Sequence, residues 1–340
     1  MAVHPAVVRV HHLLQQPALQ ALKGQSLLHL QALPPASLAA LLQLAAQLKV
    51  LRQQGVAYAP LQGKSMALYF QQPSLRTRVS FELAATELGL HCAVLRQEEV
   101  GLGQREAVED VARTLGRYVH LIAIRHLEDD LLEGLAQQSG VPVINALSRN
   151  HHPCQTLADL QTLAEHWGGF NGQPLCFMGD AANNVARSLM QGCALLGLPM
   201  VLCAPAAHAP TAAMLSEARA LAQAAGSAAT FVWEPNPSKA LAGCAAVYTD
   251  VFTSMGQEAE KAERLAALMP YQLNESLLAH ALPTALVLHC LPAHRGEEID
   301  APTLERHATT VFDQAENRLH AQKALMLALL NPLAAPKEAA

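Results

Sequence analysis

The chain has little charge and few aromatic side chains: of its 340 residues, Asp, Glu, Lys and Arg make up 15% and Phe, Trp and Tyr 4%. Its 23 basic residues face 28 acidic ones, for a formal net charge of −5. No basic surplus is present to neutralise a run of phosphates, so a general nucleic-acid binder is excluded. A small anionic ligand is not, because a few placed arginines suffice for it. The seven cysteines contain no Cys-x-x-Cys pair and no framework spacing; they read as reduced thiols, mostly in the core of a cytoplasmic protein. No apolar run approaches the roughly 18 residues of a membrane span, since Gln, Lys or Pro breaks each Ala/Leu-rich stretch. The opening MAVHPAVVRVHHLLQQ lacks the charged start, apolar stretch and cleavage site of a secretion signal. Sixteen histidines are present, yet none falls in His-Glu-x-x-His or another tight ligand pattern, and the adjacent pairs His11-His12 and His151-His152 point apart on a helix. Neither a metal nor another cofactor is expected.

What is there in quantity is apolar sequence, 51% of the chain, enough for two domains with a core each. The first 60 residues read as helical, with Leu38, Leu41, Leu42 and Leu48 at helical spacing. An alternation follows. Ser65–Phe70 (SMALYF) is a buried-strand run, and the helical RTRVSFELAATELG closes on Gly89. CAVL, VHLIAI and VPVINAL continue as strands, with helices from Glu106 and over 129–139 between them, and Pro153 opens another helix. A second series, LCFMGD, MVLCAP, TFVW, AAVYTDV, TALVLHCL and TTVF, again alternates with helices and ends in a long helix from about Ala315. Apolar strands alternating with amphipathic helices imply parallel sheets covered on both faces. The expected fold is therefore α/β: two Rossmann-like domains, each a mostly parallel sheet flanked by helices, with the active site in the cleft between them. The domains are expected over 1–150 and 151–314, with the last helix, about 315–332, packing back on the first.

Ligands of open α/β sheets bind at the carboxyl ends of the strands. That rule selects the segment PSLRTR after ALYF, Arg125 after LIAI, His151 and His152 after VPVINAL, Asp180 after LCFMG, Asp250 after AAVYT, and Cys290 after LVLH. In Pro73–Arg78, a helix start offers unpaired N–H groups and partial positive charge, Ser74 and Thr77 add hydroxyls, and an arginine adds a fork matched to phosphate oxygens. The plain alternative makes Ser74 an ordinary N-cap and the arginines solvated. Two cations at the positive end of a helix are unfavourable unless an anion joins them, which favours the phosphate reading. His152 and Gln155, three residues apart, share one helix face and can address one small polar group; taken alone, such a histidine is more simply capped or solvated. In VLHCLPAHRGEE, Pro292 keeps the exit irregular and frees carbonyls to accept hydrogen bonds, although Cys290 by itself reads as a buried inert thiol.

These segments carry a resemblance to the aspartate/ornithine carbamoyltransferase family, and within it to the ornithine carbamoyltransferases. PSLRTRVSFE is similar to the family's Ser-Thr-Arg-Thr-Arg phosphate segment, and EAVEDVARTLGRYV, HPCQTLADL, YTDVFTSMGQE, HCLPAHRGEE and FDQAENRLHAQKAL resemble family blocks in the same order, from about Gln25 to about Leu330. The resemblance implies transfer of a carbamoyl group from carbamoyl phosphate to ornithine, giving citrulline, in a homotrimer with shared active sites, without nucleic acid or membrane as partner. It implies that domain 1–150 binds carbamoyl phosphate and domain 151–314 binds ornithine. Ser74, the backbone of Leu75, Arg76 and Thr77 would hold the phosphate. Arg125 and His152 would bond the carbonyl oxygen, with Arg318 completing the cationic shell. Gln155 and the carbonyls of Cys290 and Leu291 would receive the NH₂ group. Asn184, Asp250, Ser254 and Met255 would hold ornithine, Asp250 by its α-ammonium. Arg125, His152, Cys290 and Arg318 are the implied catalytic set.

The chain departs from the family pattern in three places: Leu75 stands where Thr is usual, Gly101 where ornithine enzymes commonly carry Gln, and Phe252 where Trp is found. The second of these leaves Gln104 or Arg105 to supply what the loop around Gly101 contributes. Acetylornithine and putrescine are the rival acceptors, the former less suited because its α-nitrogen has no charge for Asp250. A dinucleotide-dependent oxidoreductase is a distant alternative: GDAANN follows a strand and opens a helix but lacks Gly-x-Gly-x-x-Gly. A non-catalytic relative would lack the catalytic positions that are present here.

Overall fold

The computed structural model describes residues 4–254 and 256–333; Met255, one of the expected ornithine contacts, lies outside the described residues. The chain forms two compact units, one running to Gln161 and resuming at Asn317, the other covering Thr162–Glu316.

The first unit is built on four parallel strands in the order β2-β1-β3-β4. They are β1 (Ser65–Phe70), β2 (His91–Arg96), β3 (Leu121–Arg125) and β4 (Val143–Leu147). Every residue of β3 and β4 is buried, as expected of central strands covered on both faces. On one face Ala67, Tyr69, Ile122, Ile124 and Val143 pack with Val111, Ala112, Leu131, Leu132 and Leu135 of the helices Val108–Tyr118 and Asp129–Gln138. The helix Leu75–Leu88 returns the chain from β1 and ends where Gly89 takes a left-handed φ of 84°, the stop expected from the sequence.

The second unit carries five parallel strands in the order β7-β6-β5-β8-β9. These are β5 (Leu175–Met178), β6 (Met200–Cys203), β7 (Phe231–Trp233), β8 (Ala246–Thr249) and β9 (Leu286–His289). Cys176, Met178, Cys203, Val247 and Val287 form one core with Leu241, Phe252, Leu268, Tyr271 and Leu273. Both sheets are parallel and flanked by helices, the α/β architecture read from the sequence. All seven cysteines are free thiols, five of them buried.

Two expectations differ from the structure. Thr309-Thr310-Val311-Phe312, read as a strand from its β-branched and aromatic content, forms the first turns of the helix Ala308–Leu330. Thr310, Val311 and Gln314 are buried while Phe312 is 56% exposed; that is helical periodicity, since a strand would put Thr310 and Phe312 on one face. The boundary between the units falls at Gln161, inside the helix Pro153–Trp167, and not before His151. The start of that helix is fastened to the first unit, where the Cys154 thiol donates to the Asn145 carbonyl at 3.4 Å and the Ser148 N–H to the His151 carbonyl at 2.8 Å.

One buried group of the first unit sets a pH dependence. His320 is pushed down from 6.5 to about 3 by burial and by Lys323, Lys49 and Arg52, with Glu87 opposing them. In the unfolded chain this imidazole takes its proton near 6.5, and in the fold only near 3. The folded state is therefore at full strength above 6.5 and loses stability as pH falls through that window. At pH 5 this one group costs roughly 2 kcal/mol. Urea midpoints at pH 7.5 and pH 5 should separate widely for the parent chain and distinctly less for His320→Gln; equal separations would remove His320 as the cause.

Candidate active site

The first unit gathers one set of polar groups at the exits of β1, β3 and β4. Ser74 caps the helix Leu75–Leu88, its hydroxyl oxygen accepting the Thr77 N–H at 3.4 Å. The plain N-cap reading of Ser74 thus holds, and its own O–H is left to donate elsewhere. Leu75 points out, 76% exposed, and only its backbone belongs to the helix start. Arg78 pairs with Glu82 one turn on, at 3.4 Å. Thr77 is turned inward and fully covered, and there its hydroxyl oxygen accepts from Arg318 at 3.3 Å. The same guanidinium donates to Gln155 Oε1 at 2.7 Å, and Gln155 Nε2 donates to Asp159 Oδ1 at 2.8 Å. Gln155 is thereby fixed by an arginine on one side and a carboxylate on the other.

His152, at the entry to the helix Pro153–Trp167, is buried and held well below its ordinary pKa. Burial is the largest cause, followed by the positive charges of Arg318, Arg125 and Arg76. Burial first, and the three arginines with it, keep this imidazole neutral. Arg76 is half-buried, while Arg125, the last residue of β3, and Arg318 are buried. So Ser74, Arg76, Thr77, Arg125, His152, Gln155 and Arg318 all belong to the first unit. The ring of His151 lies 5.4 Å from that of His29, tilted by 46°.

The second unit gathers a different set. Asp250, just past β8, is buried and accepts from three donors. Asn183 Nδ2 reaches Oδ2 at 3.1 Å, while the Val251 N–H at 2.8 Å and the Cys290 thiol at 2.9 Å reach Oδ1. Burial pushes its carboxyl above the usual range, against the pull of His289, the Cys290 thiol and the Val251 N–H. An ionised carboxylate in this place is best stabilised by a cation beside it. Leu291, at φ 57°, is the one non-glycine residue with positive φ among the described residues. Its N–H donates to His289 Nδ1 at 2.8 Å, and the other ring nitrogen, assigned the proton on that account, donates to Glu298 Oε1 at 3.0 Å. This buried pair fixes the turn that carries Cys290 and Leu291. Asn184 is the first residue of the helix Asn184–Leu196, and the Ser254 N–H donates to Gln257 Oε1 at 3.0 Å.

Some residues do not behave as the sequence suggests. Asp180 is consumed internally: the buried Arg264 bonds its Oδ2, and the Ala182 N–H donates to Oδ1 at 3.1 Å. Phe252 is fully buried, and a Cβ on Gly179 would meet its ring at 3.3 Å. Asn183, Arg264 and the His289–Glu298 pair were not legible beforehand. Of these only Asn183 had a signal, as an N-cap residue beside the selected Asn184, and it does cap Asn184–Leu196 while it holds Asp250.

The loop at Gly101 is set by its own backbone. Gly101, at φ 65°, ends the short helix Gln97–Val100, and its carbonyl accepts from the N–H groups of Gln104 and Arg105 at 2.9 and 2.7 Å. A Cβ there would lie 2.7 Å from Arg105 Cβ. Arg105 donates to the Glu99 carbonyl at 2.7 Å. Gly101→Gln should lower the unfolding free energy by about 1–2 kcal/mol, read from urea denaturation, because a side chain in this left-handed turn is strained. An unchanged midpoint would show that the loop rebuilds at no cost.

Two family models match the chain, one after the other. Residues 25–165 match the description "Aspartate/ornithine carbamoyltransferase, carbamoyl-P binding domain", and residues 171–329 match "Aspartate/ornithine carbamoyltransferase, Asp/Orn binding domain". The chain belongs to the aspartate/ornithine carbamoyltransferase family. It is 46% identical to the ornithine carbamoyltransferase of Archaeoglobus fulgidus over 85% of its own length and 92% of that protein's. With the Anoxybacillus flavithermus ornithine carbamoyltransferase it shares 43% identity, over 91% and 98% of the two chains. Among solved structures, the ornithine carbamoyltransferase from Pyrococcus furiosus matches with a TM-score of 0.86 at 40% identity, covering 91% of this chain and 98% of that one. No helix among the described residues is long and apolar enough to cross a membrane.

Proposed function

We propose that this chain transfers the carbamoyl group of carbamoyl phosphate to the δ-amine of L-ornithine, giving L-citrulline and phosphate. The observation that carries the reading is the grouping of Arg76, Arg125 and Arg318 around a histidine kept neutral, at a helix start suited to a phosphate. In it, the helix N-terminus with Ser74, the Leu75 backbone, Arg76 and Thr77 takes the phosphate. Arg125 and the neutral His152 donate to the carbamoyl oxygen. Gln155 and the carbonyls of Cys290 and Leu291 receive the NH₂ group. Asp250 faces the α-ammonium of ornithine, Asn184 its carboxylate, and Ser254 and Met255 the same amino-acid end.

The chemistry follows from these placements. The neutral amine forms a C–N bond to the carbamoyl carbon, the C–O bond to phosphate breaks, and the proton leaving nitrogen ends on phosphate. Negative charge grows first on the carbonyl oxygen and then on the leaving group, and fixed donors at both places lower the barrier, each by a few kcal/mol. No covalent intermediate is needed, so Cys290 acts through its carbonyl and through its thiol bond to Asp250. Because the attacking amine must be unprotonated, the rate falls on the acid side.

The working unit on this reading is a cytoplasmic homotrimer with shared active sites; full activity in a sedimenting monomer would refute that arrangement. The experiment for the reaction itself is citrulline formation by purified protein, with ornithine, acetylornithine and putrescine compared side by side. Clear preference for ornithine is expected. Preference for a rival amine overturns the acceptor, and no product from any of them at saturation overturns the transfer.

A further inference from the structure

Beyond Leu291, the loop that leaves β9 holds a second group of ligating side chains that takes no part in the proposed transfer. His294 Nδ1 lies 3.5 Å from Glu297 Oε2 and 4.0 Å from Glu298 Oε2. One ligand atom from each of the three residues falls within 4.8 Å of the others. We propose that His294, Glu297 and Glu298 form a binding site for one divalent transition-metal ion of the zinc type.

The carboxylates are arranged for it. Glu298 is fully buried, and its Oε1 is already occupied, accepting from His289 Nε2 at 3.0 Å and from the His294 N–H at 2.6 Å. Glu297 Oε1 is held by the Lys261 ammonium at 2.9 Å. In each case it is the second oxygen that faces the His294 ring. Glu297 Oε2 and Glu298 Oε2 are both covered from solvent and accept no hydrogen bond. A buried carboxylate oxygen without a donor is costly, and a bound cation removes that cost for both at once.

The donor set and the spacing select the ion. One imidazole nitrogen with two carboxylate oxygens is a set that zinc takes at about 2.0–2.2 Å, which puts neighbouring ligand atoms roughly 3.4 Å apart. The present 3.5 and 4.0 Å need only a small closure, and the His294 side chain, 43% exposed, is free to make it. Calcium and magnesium prefer sets made of oxygen alone. The backbone around the ligands is fixed by Gln272, whose Nε2 donates to the Gly296 and Glu297 carbonyls at 2.8 and 2.9 Å. With three protein ligands and an exposed histidine, the fourth position opens to water. Through Glu298 and His289 the ion would also be joined to the Leu291 turn.

This inference does not rest on the transfer reaction, because its test reads the ion directly. Chelator-treated protein is titrated with zinc chloride by calorimetry, and the zinc-loaded protein is measured by X-ray absorption at the zinc edge. One equivalent of zinc in a shell of nitrogen and oxygen is expected. His294→Ala and Glu297→Gln, both on the surface loop, should each weaken it at least about tenfold, and zinc should raise the Tm of the parent chain but not of His294→Ala. The soft ligand nearest in sequence is the Cys290 thiol, so Cys290→Ser is the decisive control: its zinc affinity should match the parent. Sulfur in the zinc shell, loss of binding in Cys290→Ser, or binding that survives both loop variants would each overturn the site.

Discussion

Arg76→Ala should lower kcat/KM for carbamoyl phosphate by about two to three orders of magnitude, the cost of one charged donor aimed at a developing anion. The residue sits in the first turn of the helix Leu75–Leu88, where a cation opposes the helix dipole. The neighbouring arginine shows the contrast. Arg78 answers its position with Glu82 on the outer face, whereas the charge of Arg76 acts on the buried His152 together with Arg125 and Arg318. Arg76 is only half-buried, so removing its side chain should not harm the fold. The urea midpoint of Arg76→Ala should stay level or rise slightly, since relief at a helix N-terminus is worth about 0.3–1 kcal/mol. KM for ornithine should move little. Arg78→Ala, by the same reasoning, should change kcat/KM by no more than a few-fold. Initial rates over a grid of both substrates separate these outcomes, and near-normal kinetics in Arg76→Ala would remove the phosphate from this helix start.

Much of the layout was legible because it rests on local signals. The strand SMALYF, the stop at Gly89 and the helix opened by Pro153 each follow from a run, a glycine or a proline, and each stands where expected. Residues at strand exits were legible for a topological reason, since parallel strands deliver their last residues to one edge. What could not be read is what depends on partners far away in sequence. Arg264 reaches Asp180 across 84 positions, and Glu298 holds a histidine whose role is to fix a turn. TTVF was misread because its composition favours a strand while its burial follows a helical period. The grouping of His294, Glu297 and Glu298 is hidden in the sequence for a related reason: its residues lie in an irregular loop, where no fixed spacing applies.

Asp250→Asn should raise KM for ornithine by about a hundredfold or more, because it deletes the charge opposite the α-ammonium and leaves the shape. A buried charge pair that loses one partner costs about 2–5 kcal/mol, and the exchange of one carboxylate oxygen for an amide adds a second penalty. All three groups that touch Asp250 are donors: Asn183 Nδ2, the Val251 N–H and the Cys290 thiol. An amide NH₂ must therefore face at least one donor with another donor, and the pocket loses order as well as charge. Stability should move the other way. Burial raises the Asp250 carboxyl above its usual range, so without a bound cation this carboxylate opposes folding at neutral pH. Sign for sign, a group whose folded pKa is raised costs stability above its unfolded pKa, and the neutral amide escapes that cost. Urea denaturation of the ligand-free protein should accordingly find Asp250→Asn no less stable than the parent at pH 7, while added ornithine stabilises the parent and leaves the variant unmoved. KM for carbamoyl phosphate, whose proposed phosphate ligands all lie in the first unit, should stay within a few-fold. A variant that binds ornithine normally, or one that loses both substrates together, would show that Asp250 serves the fold and not the acceptor.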